Sequence, residues 1–449
     1  MHDLVVRNGT IAGAGQADIA ISDGRFAAVA PQLPAGREEI DAAGLTIFPG
    51  LIDVHLHFNQ PGREEWEGAA TGSRALAAGG GTLYFDMPLN SAPCTTTVAA
   101  FEQKRAALAA CSLTDFGLWG GIVPGNRDQL EPLAESGVVG FKAFLCASGL
   151  PEFPRADDLT LFEGMQAAAR HRLPVAVHAE SEEITAGLAA RIRAAGRTGI
   201  RAYLESRPVV AEVEAIGRAA LLAREAGARL HVVHSSSGRG VAAALEARAR
   251  GTGITIETCP HYLFFTEEDL ERIGAFAKCS PPLRPVADRD DLWRRVLARE
   301  VDVVASDHSP SSPDLKQDSD FFRVWGGIAG AQSTLAVLLE AGHHQRGLPL
   351  ADIVRLTAAM PAERFRIARK GRIAPGFDAD LALVDLDDPF TLSARDLHQR
   401  HPITPYLGCR FRGRVRRTLL RGRTIFHEGR IAADPTGRWI RPEEHTCNT

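Results

Sequence analysis

Several features that mark other classes of protein are missing from this sequence of 449 residues. No apolar run approaches the roughly 20 residues that a membrane-spanning helix needs, and the first residues lack the basic and then apolar order of a signal peptide. The formal net charge is only -4, which gives no reason to expect nucleic acid or an anionic membrane as a partner. These absences predict a soluble globular protein without nucleic-acid or membrane partners.

Cysteine is scarce and follows no pattern. The sequence has no C-x-x-C pair, and its cysteines are odd in number: Cys94, Cys111, Cys146, Cys259, Cys279, Cys409 and Cys447. A disulfide framework or a thiolate-bound zinc ion is therefore not expected. A reducing, cytoplasmic location is expected instead.

Short β-type runs separated by turn residues occupy both ends of the chain. Residues 4–7 are followed by Asn8-Gly9, a strong hairpin signal. Near the other end, residues 378–384 and 415–420 have the composition of strands. Two similar ends around a different middle predict one small β-sandwich domain, made from residues 1–48 and from residues 376–449 with the tail.

The middle of the chain, residues 49–375, alternates apolar strands with amphipathic stretches. Strands are predicted at residues 51–57, 82–87, 115–123, 138–145, 173–178, 229–234, 253–258 and 301–306. Apolar residues recur at helical spacing in stretches between them, at 95–110, 158–171, 209–226 and 238–250. Eight successive βα units predict an α/β fold, the (β/α)8 TIM barrel. A doubly wound open sheet competes, but no G-x-G-x-x-G follows the first strand.

Residues able to bind metal or move protons recur where the predicted strands end. Alternate side chains of a strand share a face, so His55 and His57 point the same way. Active sites of this barrel lie at the C-terminal ends of the strands, and neutral imidazole is a common zinc ligand. One such histidine would be an ordinary core residue, whereas six residues together predict a metal centre. They are His55, His57, Lys142, His178, His234 and Asp307.

Lys142 lies inside an apolar run, where a bare ammonium group would be costly to desolvate. Burial lowers the pKa of a lysine and leaves a neutral, nucleophilic amine. An ion pair with a nearby carboxylate and Schiff-base chemistry are two uses for such a residue. We favour a third, in which carbon dioxide adds to the amine and the resulting carbamate bridges two metal ions about 3.5–4 Å apart.

Other polar residues near the strand ends have competing interpretations. Asp307 is either a turn or cap residue or, as we prefer in this company, a metal ligand that also transfers a proton. His308 should face the other side of the strand, and His231 is expected to be structural. His261 either lines the pocket or packs in the core. The polar segment 309–325 is either a lid over the site or a plain surface loop.

These residues and their spacing resemble the cyclic amidohydrolases, the group that contains dihydroorotases, hydantoinases or dihydropyrimidinases, and allantoinases. The likeness covers essentially the whole chain, from residues 3–9 to the segments 370–380 and 420–422. It implies a (β/α)8 barrel with a β-sandwich from both chain ends, and a homotetramer.

The resemblance also implies a ligand set and a mechanism. It assigns the carbamate of Lys142 to both metal ions, His55, His57 and Asp307 to one ion, and His178 and His234 to the other. Such ligands suit zinc, with manganese, cobalt or iron as alternatives. A hydroxide between the two ions would open a cyclic amide, with Asp307 as general base and then general acid.

Within this group, the segments 59–68, 87–90 and 278–284 are most similar to the allantoinase branch. Dihydroorotases place an arginine two residues after His-x-His, whereas this chain has Asn59, which suits a neutral ring such as allantoin. Dihydropyrimidinases place a tyrosine five residues after the lysine, and that residue is Ala147 here. The expected ring contacts are Asn59, Asn90, Ser148 and Ser280. The alternatives are a hydantoinase or dihydropyrimidinase of the same mechanism, a dihydroorotase, and a non-catalytic scaffold.

Overall fold

The structure is a computed structural model that describes residues 1–443, so the prediction for Cys447 lies outside the described residues. Seven short strands open the chain: β1 (Leu4–Arg7), β2 (Thr10–Ile11), β3 (Gly15–Gln16), β4 (Asp18–Ser22), β5 (Arg25–Ala30), β6 (Glu38–Asp41) and β7 (Thr46–Pro49). The barrel strands follow: β8 (Leu51–Leu56), β9 (Gly81–Asp86), β10 (Asp115–Leu118), β11 (Gly120–Gly121), β12 (Phe141–Phe144), β13 (Pro174–His178), β14 (Arg229–Val232), β15 (Ile254–Thr258) and β16 (Val303–Val304). The last strands are β17 (Leu381–Thr391), β18 (Arg410–Leu420), β19 (Arg423–His427) and β20 (Arg430–Ile431).

Strands from both ends of the chain share one sheet. Its order is β20-β19-β18-β17-β7-β2-β3, and β7 runs antiparallel to β17. A four-stranded sheet with the order β5-β4-β1-β6 packs against it through a shared apolar cluster that includes Ile19, Ile47 and Leu383. The expected layer built from both chain ends is therefore present. The domain limits after residues 48 and 375 stay a prediction.

The hairpin predicted at Asn8-Gly9 is wrong. β1 pairs with β4 and β6, whereas β2 pairs with β3 and β7, so the strands on either side of this turn belong to different sheets. Asn8 has a φ of 61°, and a Cβ atom on Gly9 would stand only 2.4 Å from Ile47. The turn passes the chain from one sheet to the other, and Gly9 leaves room for the side chain of Ile47.

Eight parallel strands form the barrel, counting β10 and β11 as the predicted third strand interrupted at Trp119. A parallel bridge between Leu56 and His308 closes the ring, where the backbone N–H of His57 donates to the carbonyl of His308 at 2.7 Å. The predicted fold class is confirmed. The eighth strand is shorter than predicted, so Asp307 follows the strand rather than ending it.

Helices cover the outside of the barrel. They are α1 (Ala69–Ala78), α2 (Val98–Ala109), α3 (Arg127–Ser136), α4 (Asp158–Arg170), α5 (Glu182–Ala194), α6 (Ile200–Ser206), α7 (Val209–Ala226), α8 (Gly238–Ala249), α9 (Pro260–Phe264), α10 (Glu267–Ile273), α11 (Val286–Leu297), α12 (Thr334–Val337), α13 (Leu350–Val354) and α14 (Met360–Arg364). Short 3-10 turns lie at Gly274–Ala277, Pro313–Lys316, Ala331–Ser333 and Ala394–Asp396, and π-helical turns at Leu338–His344 and Arg355–Ala359. Within residues 1–443, no helix combines the length and apolar character that crossing a membrane requires.

Helix α7 shows why the helical stretches were readable from the sequence. Its buried residues include Ala215, Ala219 and Ala223, which recur every four positions and face the barrel. Pro208 precedes the helix, and Gly227 ends it with a φ of 67°. The predicted bounds of this helix, 209–226, are those of the structure.

A buried ion cluster joins the barrel to the seven-stranded sheet. Nζ of Lys370 lies 2.7 Å from Oδ2 of Asp115 and 2.6 Å from Oδ2 of Asp380, and Arg421 also contacts Asp115. Burial opposes the charge of Lys370, but the surrounding carboxylates raise its pKa. Because Asp115 belongs to β10 and Arg421 follows β18, the cluster fixes the sheet against the barrel.

Candidate metal centre

Two histidines and one aspartate converge at the end of the first barrel strand. Nε2 of His55 lies 3.3 Å from Oδ1 of Asp307, and Nε2 of His57 lies 3.5 Å from the same atom. All three side chains are buried, and one ligand atom from each lies within 4.8 Å of the others. Two imidazole nitrogens and one carboxylate oxygen are a donor set that suits a divalent metal ion.

Hydrogen bonds on the far side of each ring turn Nε2 toward this cluster. Nδ1 of His55 lies 2.7 Å from Oε1 of Glu257, and Nδ1 of His57 lies 3.4 Å from the carbonyl of Leu89. Ionised carboxylate and carbonyl oxygens only accept, so each Nδ1 carries the hydrogen and each Nε2 presents its lone pair. Burial lowers the pKa of His57, which keeps that imidazole neutral and able to bind a metal.

A second pair of imidazoles lies beside the first. The ring centroids of His178 and His234 are 4.6 Å apart, and those of His234 and His55 are 5.4 Å apart. Nε2 of His178 lies 2.9 Å from Oε2 of Glu180, which Arg207 also contacts at 2.5 Å. Burial lowers the pKa values of both His178 and His234. Four imidazoles therefore share one end of the barrel.

Cys146, His178 and Glu180 form a further group with ligand atoms close together. Burial raises the pKa of Cys146 to about 12, so its thiol stays protonated and is a poor ligand. Burial opposes ionisation of Glu180, but Arg207 and His178 lower its pKa to about 2. Within this group, Glu180 holds His178 in place through its hydrogen bond to Nε2.

Lys142 stands among these side chains without a partner. Its Nζ is buried and makes no hydrogen bond to any of residues 1–443, and it lies 5.0 Å from the centroid of the Phe144 ring. Burial lowers the pKa of Lys142 to about 8, against the attraction of Asp307 and Glu257. The expected alternative of an ion pair is therefore not found in this part of the chain. A buried amine without a hydrogen-bond partner, facing four imidazoles, fits the metal-bridging carbamate that the sequence pattern implies.

Asp307 is ionised and held in a strained backbone conformation. Burial opposes ionisation, but His55 and His57 lower the pKa of Asp307 to about 2. Its φ is 43°, and the φ of His234 is 37°. Such left-handed conformations cost non-glycine residues about 1–3 kcal/mol and cluster at functional sites. The strain turns both side chains inward just after their strands end.

A cavity of about 390 Å³ opens over the cluster, a volume typical of small-molecule sites. All of the predicted metal ligands line it: His55, His57, Lys142, His178, His234 and Asp307. Three of the four expected ring contacts, Asn90, Ser148 and Ser280, line it as well. The structure therefore brings nine of the ten predicted site residues to one cavity.

Asn59 is the exception, and its expected contact with the ring has to be corrected. The residue is fully buried and is not among the residues that line the cavity. Its Nδ2 donates to the carbonyl of Pro310 at 3.1 Å, and its φ is 64°. Asn59 therefore ties the loop after the first strand to the segment after the eighth.

The two serines predicted as ring contacts already have partners. Oγ of Ser148 donates to the carbonyl of Phe153 at 2.6 Å and accepts from the N–H of Leu150 at 3.1 Å, which leaves it one acceptor site. Oγ of Ser280 lies 2.6 Å from the hydroxyl of Tyr203. The side-chain amide of Asn90 makes no hydrogen bond within residues 1–443. Only the backbone carbonyl of Asn90 is engaged, since it accepts from Arg63 at 2.8 Å. Asn90 thus has the most freedom to contact a ligand.

The remaining histidines near the site lie away from the cavity. Nε2 of His308 is 3.4 Å from Oε2 of Glu67, and Nε2 of His231 is 2.9 Å from Oε2 of Glu257. Of the two interpretations of His261, core packing is the one found, since it is buried and does not line the cavity.

Four residues that surround the site were missed from the sequence: Glu257, Tyr203, Arg207 and Lys278. Glu257 carries a recognisable signal, because it is a charge inside an apolar strand, as Lys142 is. Tyr203 and Arg207 come from α6 and the turn after it, an excursion between the fifth and sixth strands that no strand-end pattern predicts.

A (β/α)8 barrel with four imidazoles, a lysine and an aspartate at the strand ends defines a metal-dependent hydrolase. Residues 46–425 match the model of the Amidohydrolase family, and the chain belongs to that family, which implies a divalent metal centre.

Full-length relatives are similar throughout. A protein of Solibacter usitatus named allantoinase is 65% identical over 100% of this chain and 99% of its own length. A second allantoinase, from Rubrobacter xylanophilus, is 57% identical over 98% of both chains. Among solved structures, the L-hydantoinase (dihydropyrimidinase) of Arthrobacter aurescens has a TM-score of 0.95 and 32% identity, covering 98% of this chain and 100% of that one.

Proposed function

We propose that this chain is an allantoinase, which hydrolyses the ring amide of allantoin to allantoate. The observation that carries the proposal is the 65% identity, end to end, with a relative of that name. The cavity supports a neutral ring. Both arginines that line it are already paired, Arg207 with Glu180 and Arg323 with Asp318, so neither is free to hold a substrate carboxylate as dihydroorotate would need.

The donor set of the cavity fits two divalent metal ions, and we propose zinc. One ion would be held by His55, His57 and Asp307, the other by His178 and His234, and a carbamate on Lys142 would serve both. Bound ions of this kind lower the pKa of water and polarise a carbonyl group. The neutral tautomers and the unpartnered amine described above are what these ligand roles require.

Asp307 moves the proton in the proposed reaction. Its ionised carboxylate faces the cavity and accepts a proton from the attacking water, whose oxygen forms the new bond to the ring carbonyl carbon. When the ring C–N bond breaks, Asp307 returns that proton to the departing nitrogen. The water oxygen ends in the new carboxylate of allantoate, and the second hydrogen of the water leaves to solvent as a proton, so the carboxylate of Asp307 is regenerated.

Ring recognition is proposed for Asn90 and Ser280. Both line the cavity, and the side-chain amide of Asn90 can donate as well as accept. Ser148 lies there too, but its hydroxyl hydrogen is committed to Phe153. Ser148 therefore contributes at most an acceptor to a bound ring.

A cytoplasmic location and a homotetramer complete the proposal. The six cysteines within the described residues are all free, which agrees with a reducing compartment. The tetramer is supported by the family likeness, and sedimentation equilibrium of the purified protein tests it directly.

One assay decides between the candidate substrates. Allantoin, hydantoin, dihydrouracil and dihydroorotate are compared on one metal-loaded preparation, with metal-depleted protein as the blank. We expect allantoin to have the highest kcat/KM. A hydantoinase or dihydropyrimidinase is the second candidate, favoured by the TM-score of 0.95 to an enzyme of that name. Faster hydrolysis of hydantoin or dihydrouracil would establish it and end the allantoinase proposal.

A further inference from the structure

Lysine is rare in this chain, and every lysine is buried. The five are Lys104, Lys142, Lys278, Lys316 and Lys370. Lys104 and Lys370 pair with buried carboxylates, and Lys142 faces the metal centre. Lys278 and Lys316 are left, and neither has a carboxylate partner within the described chain. Burying an ammonium group without a counter-charge is costly, so these two positions need another explanation.

The side chain of Lys278 hydrogen-bonds to the backbone of the segment that follows the eighth strand. Its Nζ donates to the carbonyls of Phe321 at 2.6 Å and Val324 at 2.5 Å. Its own carbonyl accepts from the N–H of Gly327 at 2.7 Å. The ammonium also lies 4.6 Å from the centroid of the Tyr203 ring, an attractive cation–π distance.

Lys316 holds the same stretch from within the segment. Its Nζ donates to the carbonyls of Trp325 and Gly327, each at 2.8 Å. A compact ammonium with three donors can converge on carbonyls from several directions, whereas the planar fork of arginine matches carboxylates. This geometry explains why lysine stands at these buried positions in a chain whose surface cations are arginines.

The stretch held by the two lysines is a wall of the cavity. Residues 322–327 all line it, and Trp325 packs on Trp66 of the loop after the first strand, with ring centroids 4.9 Å apart. From the sequence, the polar segment 309–325 could be either a lid or a plain surface loop. In the structure, its last residues form one side of the site. Lys278 lines the cavity as well.

We propose that Lys278 and Lys316 are positioning residues that hold residues 321–327 against the substrate. Neither touches the reacting atoms. They act through the backbone carbonyls of Phe321, Val324, Trp325 and Gly327, and fix the wall on which a bound ring rests. The part of this inference that concerns substrate rests on the proposed function.

The test uses Lys278→Met and Lys316→Met, which keep the stem and remove the donors. Gln317→Met is the matched control, since Gln317 is exposed and adjacent to Lys316. Hydrogen exchange of the amides of residues 321–327 should accelerate by about tenfold or more in both lysine variants and remain unchanged in the control. Metal content should stay that of the parent protein.

Kinetics then separate positioning from general stability. We expect KM for the ring substrate to rise by about tenfold while kcat changes less than about threefold, because the wall binds the ring rather than the transferred proton. Unchanged exchange in both variants would overturn the proposal, and so would faster exchange with an unchanged KM. If one variant does not fold, the other decides.

The exchange measurement needs no substrate, so it stands apart from the proposed function. If allantoin is not hydrolysed by the parent protein, the substrate proposal fails. The exchange result still tests whether Lys278 and Lys316 hold residues 321–327 in place. The kinetic comparison is then made with the ring that the substrate panel identifies.

Discussion

Oε1 of Glu257 lies 2.7 Å from Nδ1 of His55 and 3.0 Å from the backbone nitrogen of His234. Its Oε2 lies 2.9 Å from Nε2 of His231. One carboxylate on the seventh strand thus orients a histidine of the first strand and the backbone of the sixth. Both halves of the candidate metal centre depend on it.

Glu257→Gln should weaken metal binding. A glutamine amide offers one acceptor where the carboxylate offers two, so either His55 or His231 loses its partner. Loss of such an orienting partner typically costs about 10–100-fold in metal affinity or activity. Competition titration with a chelator measures the affinity. Glu225→Gln, on the exposed face of α7, is the control, and an affinity within about twofold of the parent would contradict this role for Glu257.

Asp307→Asn should stop turnover without unfolding the protein. Asparagine keeps the shape but cannot accept a proton, so we expect kcat to fall by about 10²–10⁴-fold. Steady-state hydrolysis measures the loss, and a thermal melt reports the fold. Asp434→Asn, at an exposed position, should behave as the parent does. A kcat within tenfold of the parent would remove Asp307 from the proton transfer.

The pKa of Lys142, lowered by burial to about 8, sets the pH at which carbon dioxide is captured. Only the neutral amine reacts, and its fraction rises from about one-tenth at pH 7 to about nine-tenths at pH 9. At fixed dissolved carbon dioxide, reactivation of metal-depleted protein should accelerate about tenfold over that range and level off above it. Lys142→Met should not reactivate. Reactivation that ignores carbon dioxide would rule out the carbamate.

Lys316 should make stability depend on pH. Burial lowers its pKa to about 7, below the value of about 10.4 expected in the unfolded chain. Between these values the unfolded state binds the extra proton, so the free energy of unfolding rises with pH, by at most about 1.4 kcal/mol per pH unit. Urea unfolding at pH 7, 8 and 9 should show the parent gaining stability relative to Lys316→Met. A constant difference would contradict the lowered pKa.

The barrel and the meeting of the proposed metal ligands were predictable because each depends on local pattern. Residues at strand ends meet at one face of a barrel wherever the helices run, so His178 and Asp307 could be placed together without knowing the loops. Asn59 could not, because its partner Pro310 lies 251 positions away. The hairpin prediction at Asn8-Gly9 was wrong for a similar reason. The strands on either side of this turn pair with strands that lie farther along the chain, in two different sheets.

Tyr203 and Lys278 show the other limit of pattern. Tyr203 reaches the cavity from α6, a short helix outside the regular βα alternation, and Lys278 acts through carbonyls that any sequence would supply. A hydrogen bond to a backbone carbonyl cannot be predicted from residue types, because every residue has such a carbonyl. The cavity wall therefore became visible only with the fold.

The burial of all five lysines also determines how the folded protein reacts with amine-directed reagents and with activated supports. Chemistry directed at lysine amines, whether labelling with activated esters, cross-linking or coupling to a support, finds none of these side chains on the outside of the folded chain. The side-chain cations of its exterior are guanidinium groups, so attachment through a side chain has to be designed at a residue other than lysine. A lysine that becomes reactive toward such an ester then reports that its buried hydrogen bonds or ion pairs have opened.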